Sequence, residues 1–243
     1  MGSIRKIICF AIMFSVVFLF SISSAQVDNL LKGAKLPAKQ GSSDQATIAS
    51  GLKEALTVGT GNAVTSVSKT DGYFGNKMIK ILMPEMIQTA ANALGKLGYQ
   101  KQVDDSELSM NRAAEKAAPK AKEIFVDTIK QMTIDDAKKI LNGGNTAATD
   151  YFKLKASKKI FETFKPIVSS SMNEVGATKA YNDLMGKYTS SVPFAKKESL
   201  DLNTYVTNKA SDGLFYMVGQ EEKKIRTDPA ARVTDLLKNV FGK

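Results

Sequence analysis

A pair of glycines that leads directly into a predicted helix is the first place where this sequence could bind a ligand. Gly143 and Gly144 precede Thr146 and Thr149, and Lys153 follows on the next turn. A helix N-terminus offers free backbone N–H groups and the positive end of the helix dipole, which together bind phosphate, sulfate or carboxylate. No Gly-Lys-Ser/Thr follows, so the motif is not a nucleotide-binding P-loop. The alternative is one helix end followed at once by the next helix start, without a ligand.

Asn111, Arg112 and Glu115 form a second polar cluster within a predicted helix. Asn111 and Glu115 are four residues apart and Arg112 is three from Glu115, so the side chains occupy neighbouring positions on one helix face. Between helices, such a cluster either hydrogen-bonds to the end of another helix or holds a ligand. A structural polar network is the simpler interpretation.

A dense charged group near the C-terminus could also do chemistry. Glu222 and Arg226 have the favourable i, i+4 order for an ion pair on a helix. Two carboxylates beside arginines could act in acid–base catalysis or bind a divalent metal, but adjacent helical residues diverge by about 100°. The alternative is an ion-pair network that fixes the last helix to its neighbour. The residues of the group are Glu221, Glu222, Arg226, Asp228 and Arg232.

Asp135 and Asp136 resemble a metal-binding pair, but they follow Thr133 in the pattern of a capping box. Acidic side chains are favoured in the first turn of a helix by its dipole. We therefore predict a helix start at this position, and we predict no metal site in the chain.

A run of lysines interleaved with aromatic residues follows the glycine pair. A basic helix face with an apolar back is typical of contact with anionic lipid or another polyanion. It is equally typical of the solvated side of an amphipathic helix in a globular domain. The residues are Tyr151, Phe152, Lys153, Lys155, Lys158, Lys159, Phe161, Phe164 and Lys165.

Two residue types that are central to enzyme chemistry are missing from the predicted mature chain. The sequence contains no His, and its single Cys is Cys9, in the N-terminal apolar run. Disulfides, cysteine nucleophiles, Ser-His triads and His/Cys ligation of zinc or haem are therefore excluded for the mature chain. Catalysis would need carboxylates, Lys, Tyr or a carboxylate-bound metal, and we predict neither a catalytic residue nor a cofactor.

The N-terminus has the three parts of a secretory signal peptide. Arg5 and Lys6 precede the apolar run 7–20, and small residues follow as far as Ala25. The run is shorter than the ~20 apolar residues of a membrane span, so cleavage near Ala25 is predicted and no transmembrane segment is expected in the mature chain. Cleavage leaves a net charge of 32 − 24 = +8. We expect an exported protein, periplasmic or envelope-associated, for which nucleic acid is not an expected partner.

Beyond the N-terminus, the apolar residues follow helical spacing and show no strand-like alternation. We predict an all-α fold with the signal peptide at 1–25, a flexible linker at 26–43 and a single compact domain of roughly eight helices at 44–243. The predicted helix starts are Asp44, Pro84, Asp104, Thr133, Asn145 or Thr146, Thr178, Asp201 and Asp228.

Several features between and within these helices are predicted as well. Pro119 should kink or divide a long helix and Pro166 should interrupt a later one, because proline removes a backbone hydrogen bond. Residues 79–82 are expected to be an extended docking segment, since a single strand cannot make a sheet. The glycines of the first helix are expected to allow close helix packing.

Several phrases of the sequence resemble those of a bacterial family of exported proteins, the domain-of-unknown-function family 4197. The resemblance covers nearly all of the chain after the linker and implies a helical domain in an exported setting. It implies no activity, and it supplies no catalytic residues to carry over. The phrases are GLKEAL at 51–56, DGYFGN at 71–76, MNRAAEKAAPKAKEIFVDTIKQMTIDDAKKIL at 110–141, GGNTAATDYF at 143–152, the region of Pro166, and YVTNKASDGLFYMVGQEEKKIRTDPAARVTDLLKNVFG at 205–242.

Three functions are consistent with these observations. The first is a non-enzymatic binding or accessory protein of the cell envelope for an anionic or amphipathic ligand, either a small molecule or a lipid. The second is a structural or interaction protein that contacts an envelope protein or an anionic membrane surface. The third is a carboxylate-based enzyme, with or without a metal. The candidate ligand-binding residues are Gly144, Thr146, Thr149, Asn111, Arg112, Glu115 and Arg226.

Each function makes a different structural prediction. Ligand binding predicts a cavity in which distant polar residues, such as Asn111, Thr146 and Arg226, converge. An interaction protein predicts a filled core with an exposed apolar or basic patch. A carboxylate enzyme predicts two acidic side chains within reach of one pocket.

Overall fold

The computed structural model describes residues 40–174 and 201–228, and between them 176, 179, 181–183, 185, 186 and 190. The chain divides into two units, Met1–Gln40 and Gly41–Lys243, and the helical domain is the second. The predicted signal peptide, most of the predicted linker and the last predicted helix lie outside the described residues.

The described residues are mostly helical, and no strand occurs among them, so the all-α prediction is confirmed. A π-helical turn, Gly95–Tyr99, joins the helix Glu85–Leu94 to the helix Gln100–Ala117, and a 3-10 turn, Ala118–Lys120, joins the latter to the helix Ala121–Gln131. The second turn contains Pro119, which divides the long helix as predicted. The helices are α1 Gln40–Ser68, α2 Glu85–Leu94, α3 Gln100–Ala117, α4 Ala121–Gln131, α5 Ile134–Asn142, α6 Ala147–Glu174 and α7 Leu202–Thr227.

The helix starts follow local capping where a side chain supplies it. The Thr133 hydroxyl accepts from the Asp136 N–H at 3.0 Å and Asp136 accepts from the Thr133 N–H at 3.1 Å, which confirms the capping box of α5. Asp201 caps α7 by accepting from the Thr204 N–H at 3.0 Å. Asp104 was predicted as a start, but α3 begins one turn earlier, since Val103 is buried in the core. Asp44 likewise lies inside α1.

The prediction that Pro166 interrupts its helix is wrong. α6 continues from Ala147 to Glu174 with Pro166 inside it. An internal proline costs about 3 kcal/mol, but Phe164 and Val168 on either side are completely buried. Burial of apolar side chains is worth about 1.5–3 kcal/mol each, so packing on both sides of the proline offsets the lost hydrogen bond and the helix continues.

α6 lies at the centre of the domain and packs against α3, α4, α5 and α7. Phe152 of α6 meets Phe125 of α4 edge-on, with ring centroids 5.1 Å apart, and Phe125 meets Phe215 of α7 at 6.1 Å. Edge-to-face packing of this kind adds about 0.5–1.5 kcal/mol to simple burial. These rings tie α4, α6 and α7 into one core.

The segment between α1 and α2 is a series of turns as far as Ile79, followed by residues 80–84, which lie in neither a turn nor a helix. It docks onto the helices, as predicted for residues 79–82, but Ile79 belongs to a turn and is not extended. Tyr73 is completely buried, and its hydroxyl donates to the Ala210 carbonyl of α7 at 2.6 Å. Ile79 and Ile81 are buried, whereas Leu82 is exposed. The segment therefore covers the core with one side and presents the other to solvent.

We expect Gly213→Ala to destabilise the protein by about 1–3 kcal/mol, the usual effect of overpacking a core. A Cβ at Gly213 would lie 2.7 Å from the Tyr73 Cε1 atom and 3.1 Å from the Ile79 Cβ atom. Urea unfolding of the purified protein measures the change.

Gly61→Ala is the matched control for Gly213→Ala. A Cβ at Gly61 meets nothing within 4 Å, whereas one at Gly59 would lie 3.2 Å from the Ile225 Cδ1 atom. The predicted close packing of the α1 glycines therefore holds at Gly59 and not at Gly61. Alanine at Gly61 should be neutral or stabilise α1 by up to about 1 kcal/mol. Equal effects at Gly213 and Gly61 would contradict the packing argument.

Candidate functional site

The predicted anion position at the start of α6 is filled by a carboxylate of the same chain. Glu222 of α7 accepts from the Ala148 N–H at 3.0 Å and from the Thr149 N–H at 2.9 Å. Its Oε2 atom also accepts from the Thr149 hydroxyl at 2.8 Å. An external anion at these N–H groups would have to displace Glu222, which is only 7% exposed.

Arg226 completes this cluster and joins it to a third helix. Its Nε and Nη2 atoms lie 3.0 and 2.9 Å from the Glu222 Oε1 atom, and Nη2 also donates to the Ile140 carbonyl at 2.9 Å. Ile140 lies in the last turn of α5, whose carbonyls lack partners within the helix. The Glu222–Arg226 pair therefore binds the end of α5 and the start of α6 to α7.

The other candidate residues near the start of α6 face solvent. Gly144 and Thr146 are exposed, and the Thr146 hydroxyl donates to Asp150 at 2.9 Å. A cavity of about 20 Å³ beside Glu222 and Arg226 has room for about one water molecule and nothing larger.

The second predicted cluster holds the DGYFGN turn at 71–76. The Glu115 carboxylate accepts from the Tyr73 and Phe74 N–H groups at 3.0 and 3.2 Å. Arg112 donates to Glu115 at 2.6 Å and to Asp71 at 2.7 Å, and its hydrogen bond to Glu115 raises the pKa of the guanidinium. Glu115 is 5% exposed and the Arg112 side chain is 35% exposed, so a buried carboxylate binds the backbone N–H groups and a half-buried arginine pairs with it.

Asn111 binds the backbone of the segment between α1 and α2 with the pair of hydrogen bonds that a neighbouring β-strand would make. Its Oδ1 atom accepts from the Ile81 N–H and its Nδ2 atom donates to the Ile81 carbonyl, both at 2.8 Å. Asn111 is completely buried, so a water molecule cannot easily replace these bonds. Both backbone groups of Ile81 are satisfied by this one side chain.

The clusters do not converge on one cavity. The turn held by Glu115 reaches α7 at Ala210, whereas the other pair reaches it at Glu222. At a rise of 1.5 Å per residue these positions are about 18 Å apart along the helix. The polar clusters picked out from the sequence do form, but their hydrogen-bonding partners are groups of the same chain.

A groove of about 680 Å³ lies between the segment 78–88 and the face of α7 from Tyr205 to Tyr216, and it is here called the α7 groove. Its size is within the usual range of ligand sites, about 300–1,000 Å³. Met78, Leu82 and Tyr216 line it and are 67%, 47% and 37% exposed. Large exposed apolar side chains that gather at one place mark binding surfaces.

Polar groups of both signs also line the α7 groove. Lys209 lies over the Tyr205 ring, with its Nζ atom 5.8 Å from the centroid, and forms no ion pair within the described residues. The Tyr205 hydroxyl donates to the Leu82 carbonyl at 3.0 Å, and burial, with Glu85 and Glu107 nearby, raises its pKa. Tyr205 therefore stays protonated at neutral pH and keeps the groove wall in place.

The polar lining also includes Glu85, Gln88 and Asp212. Lys80 is held by Glu107 at 3.5 Å. Sequence reasoning missed the α7 groove because it followed only the apolar face of α7. The signal was present on the other side of that helix: Tyr205, Lys209, Asp212 and Tyr216 recur at i, i+4, i+7 and i+11, the spacing of one helix face.

Within the described residues, no group of three or more His, Cys, Asp or Glu side chains is arranged to hold a metal ion. In the same residues, no helix is both long and apolar enough to cross a bilayer.

The fold and the groove together define a class of protein: an all-helical domain whose polar clusters bind its own helices and which carries a surface groove beside α7. The chain belongs to the family described as "Protein of unknown function (DUF4197)", which matches residues 42–242. The resemblance seen in the sequence phrases is thereby confirmed. No curated protein and no solved structure matches the chain. The family description assigns no activity, so the site has to supply the functional argument.

Proposed function

We propose that this protein is a non-enzymatic binding or accessory protein of the cell envelope that holds an amphipathic ligand with an anionic group in the α7 groove. The single observation that carries the proposal is the gathering of Met78, Leu82 and Tyr216 at one groove that also contains a lysine. Apolar walls with a few placed polar groups are the usual composition of a ligand site.

The chemistry of the lining assigns a part of the ligand to each side. The apolar body of the ligand lies against Met78, Leu82 and Tyr216. Its anionic group pairs with Lys209, because Lys80 is already paired with Glu107 and their side chains are only 29% and 21% exposed. Glu85 and Asp212 disfavour a ligand with several negative charges, so a single anionic group fits best.

The expected cellular setting agrees with this ligand class. An exported protein, as the N-terminal sequence predicts, meets the lipids and amphiphiles of the envelope. The proposed setting depends on cleavage near Ala25, which N-terminal sequencing of the exported protein measures directly.

We expect the amphipathic anion 1-anilinonaphthalene-8-sulfonate to bind the folded protein at one saturable site, detected by its fluorescence. Lys209→Glu and Leu82→Asp should each raise the dissociation constant about tenfold, which is a loss of about 1.4 kcal/mol of binding free energy. The first removes the cation that pairs with the sulfonate, and the second places a charge where the rings lie.

Leu154→Asp is the matched control for Leu82→Asp, since Leu154 is 80% exposed and lies on α6, away from the groove lining. It should leave the dissociation constant unchanged. If neither groove variant weakens binding while thermal unfolding shows both to be folded, the proposed site is wrong.

A further inference from the structure

The outward face of α6 carries a stripe of alternating apolar and basic side chains. Leu154, Lys158, Phe161 and Lys165 follow one another at i, i+4, i+7 and i+11, which places them on one helix face, and Lys155 flanks them. Leu154 is the most exposed large hydrophobic residue among those described, at 80%. The side opposite is buried in the core. On this face, here called the α6 stripe, Leu154, Lys155 and Lys158 are exposed, whereas Phe161 and Lys165 are half-buried.

The positive charges of the α6 stripe are weakly neutralised. Lys158 pairs with Glu162 at 3.9 Å, where both side chains are largely exposed, and Lys165 pairs with Asp201 at 3.5 Å. Exposed pairs of this kind contribute little free energy, so these lysines can exchange their partners for others. Lys155 forms no ion pair within the described residues.

The residues on either side of the α6 stripe continue the basic character. Lys153 is exposed next to Leu154, and Lys159 is exposed and reaches Asp127 only at 3.7 Å. Between Asp150 and Glu162 the helix carries no acidic residue. Outside α6, the Asp136 carboxylate interacts electrostatically with Lys155, and Asp136 is held in the capping box of α5.

We propose that the α6 stripe docks onto an anionic lipid bilayer. A cluster of four or more lysines on an amphipathic helix is attracted to anionic headgroups, and the attraction falls off within a Debye length of the surface. Leu154 enters the boundary between headgroups and acyl chains, Phe161 lies along it, and the lysines extend to the phosphates, as in other interfacial helices. The helix lies flat on the membrane and does not enter it.

This contact is independent of ligand binding in the α7 groove, because the two surfaces share no residue. It requires an anionic surface and an apolar boundary together, which distinguishes a bilayer from a soluble polyanion. A soluble acidic protein satisfies the lysines but gives Leu154 no acyl chains to enter.

Sedimentation with vesicles tests the proposal on the full chain. The protein should bind vesicles that contain about one third phosphatidylglycerol and bind pure phosphatidylcholine vesicles at least about tenfold more weakly, and high salt should release it. Lys155→Glu with Lys158→Glu should weaken binding to the anionic vesicles at least about tenfold, and Leu154→Ser should weaken it several-fold. All variants share one N-terminus, so the apolar run at 7–20 cannot produce these differences.

Matched controls separate a local contact from a general effect of charge or exposure. Lys120→Glu with Lys122→Glu makes the same charge change on exposed positions of another part of the fold, and Leu97→Ser removes another exposed leucine, at 58%. Both controls should bind as the wild type does.

The proposal is overturned if the wild-type protein does not distinguish anionic from neutral vesicles. It is also overturned if the control lysine pair weakens binding as much as the stripe pair. The proposal is likewise overturned if the protein captures an acidic protein but does not bind vesicles.

Discussion

Replacing Glu222 by alanine is expected to lower the free energy of unfolding by about 3–5 kcal/mol, the usual effect of breaking a buried ion pair from one side. The change leaves Arg226 without its carboxylate and removes the acceptor of the Ala148 and Thr149 N–H groups. Urea unfolding at neutral pH measures the loss.

Glu221→Ala is the neighbouring control. The Glu221 side chain is only 12% exposed, but its carboxylate accepts from two exposed partners, Lys224 and Asn62. Contacts with exposed partners contribute at most about 1 kcal/mol. If the losses at Glu222 and Glu221 are similar, the buried pair does not stabilise the fold as described.

Asn111→Leu is expected to cost about 2–4 kcal/mol, since each buried polar group left without a partner costs about 1–3 kcal/mol. Leucine has nearly the same size, but it gives no partner to the N–H and carbonyl of Ile81. Leu82 and Met83 follow directly and line the α7 groove, so affinity for the fluorescent anion should fall as well.

The half-buried Ser109 on the same helix supplies the comparison for Asn111. Its hydroxyl bonds only to the Asp105 carbonyl one turn back, so Ser109→Ala should change neither stability nor anion affinity measurably. A stable Asn111→Leu protein with unchanged affinity would show that the groove wall does not depend on this residue.

Features that depend on neighbouring residues were predictable from the sequence. The capping box at Thr133 involves residues three positions apart, and Pro119 acts on its own helix. Pro166 shows the limit of such reasoning. The sequence indicates the lost backbone hydrogen bond, but burial of the neighbouring residues decides whether the helix continues. That burial depends on which helices pack there.

The candidate site was predictable only in part, for the same reason. Asn111, Glu115 and Arg226 were chosen for their residue types, and each of them forms hydrogen bonds to another segment of the chain. Their partners are distant in sequence: Glu222 lies 73 residues from Thr149, and Asn111 lies 30 from Ile81. No periodicity encodes such pairings. The α7 groove was missed because the segment 78–88 forms one of its walls. The position of that wall is set by contacts of Asn111 and Tyr73 with residues distant in the sequence.

The carboxylate over the start of α6 also governs how fast particular amide protons exchange with solvent. The first N–H groups of a helix usually have no intrahelical partner and exchange rapidly. Those of Ala148 and Thr149 are buried under Glu222, so their protons exchange only when α7 separates from α6. The beginning of α6 is therefore as slowly exchanging as a helix interior, and these two amides report directly on the opening of the core.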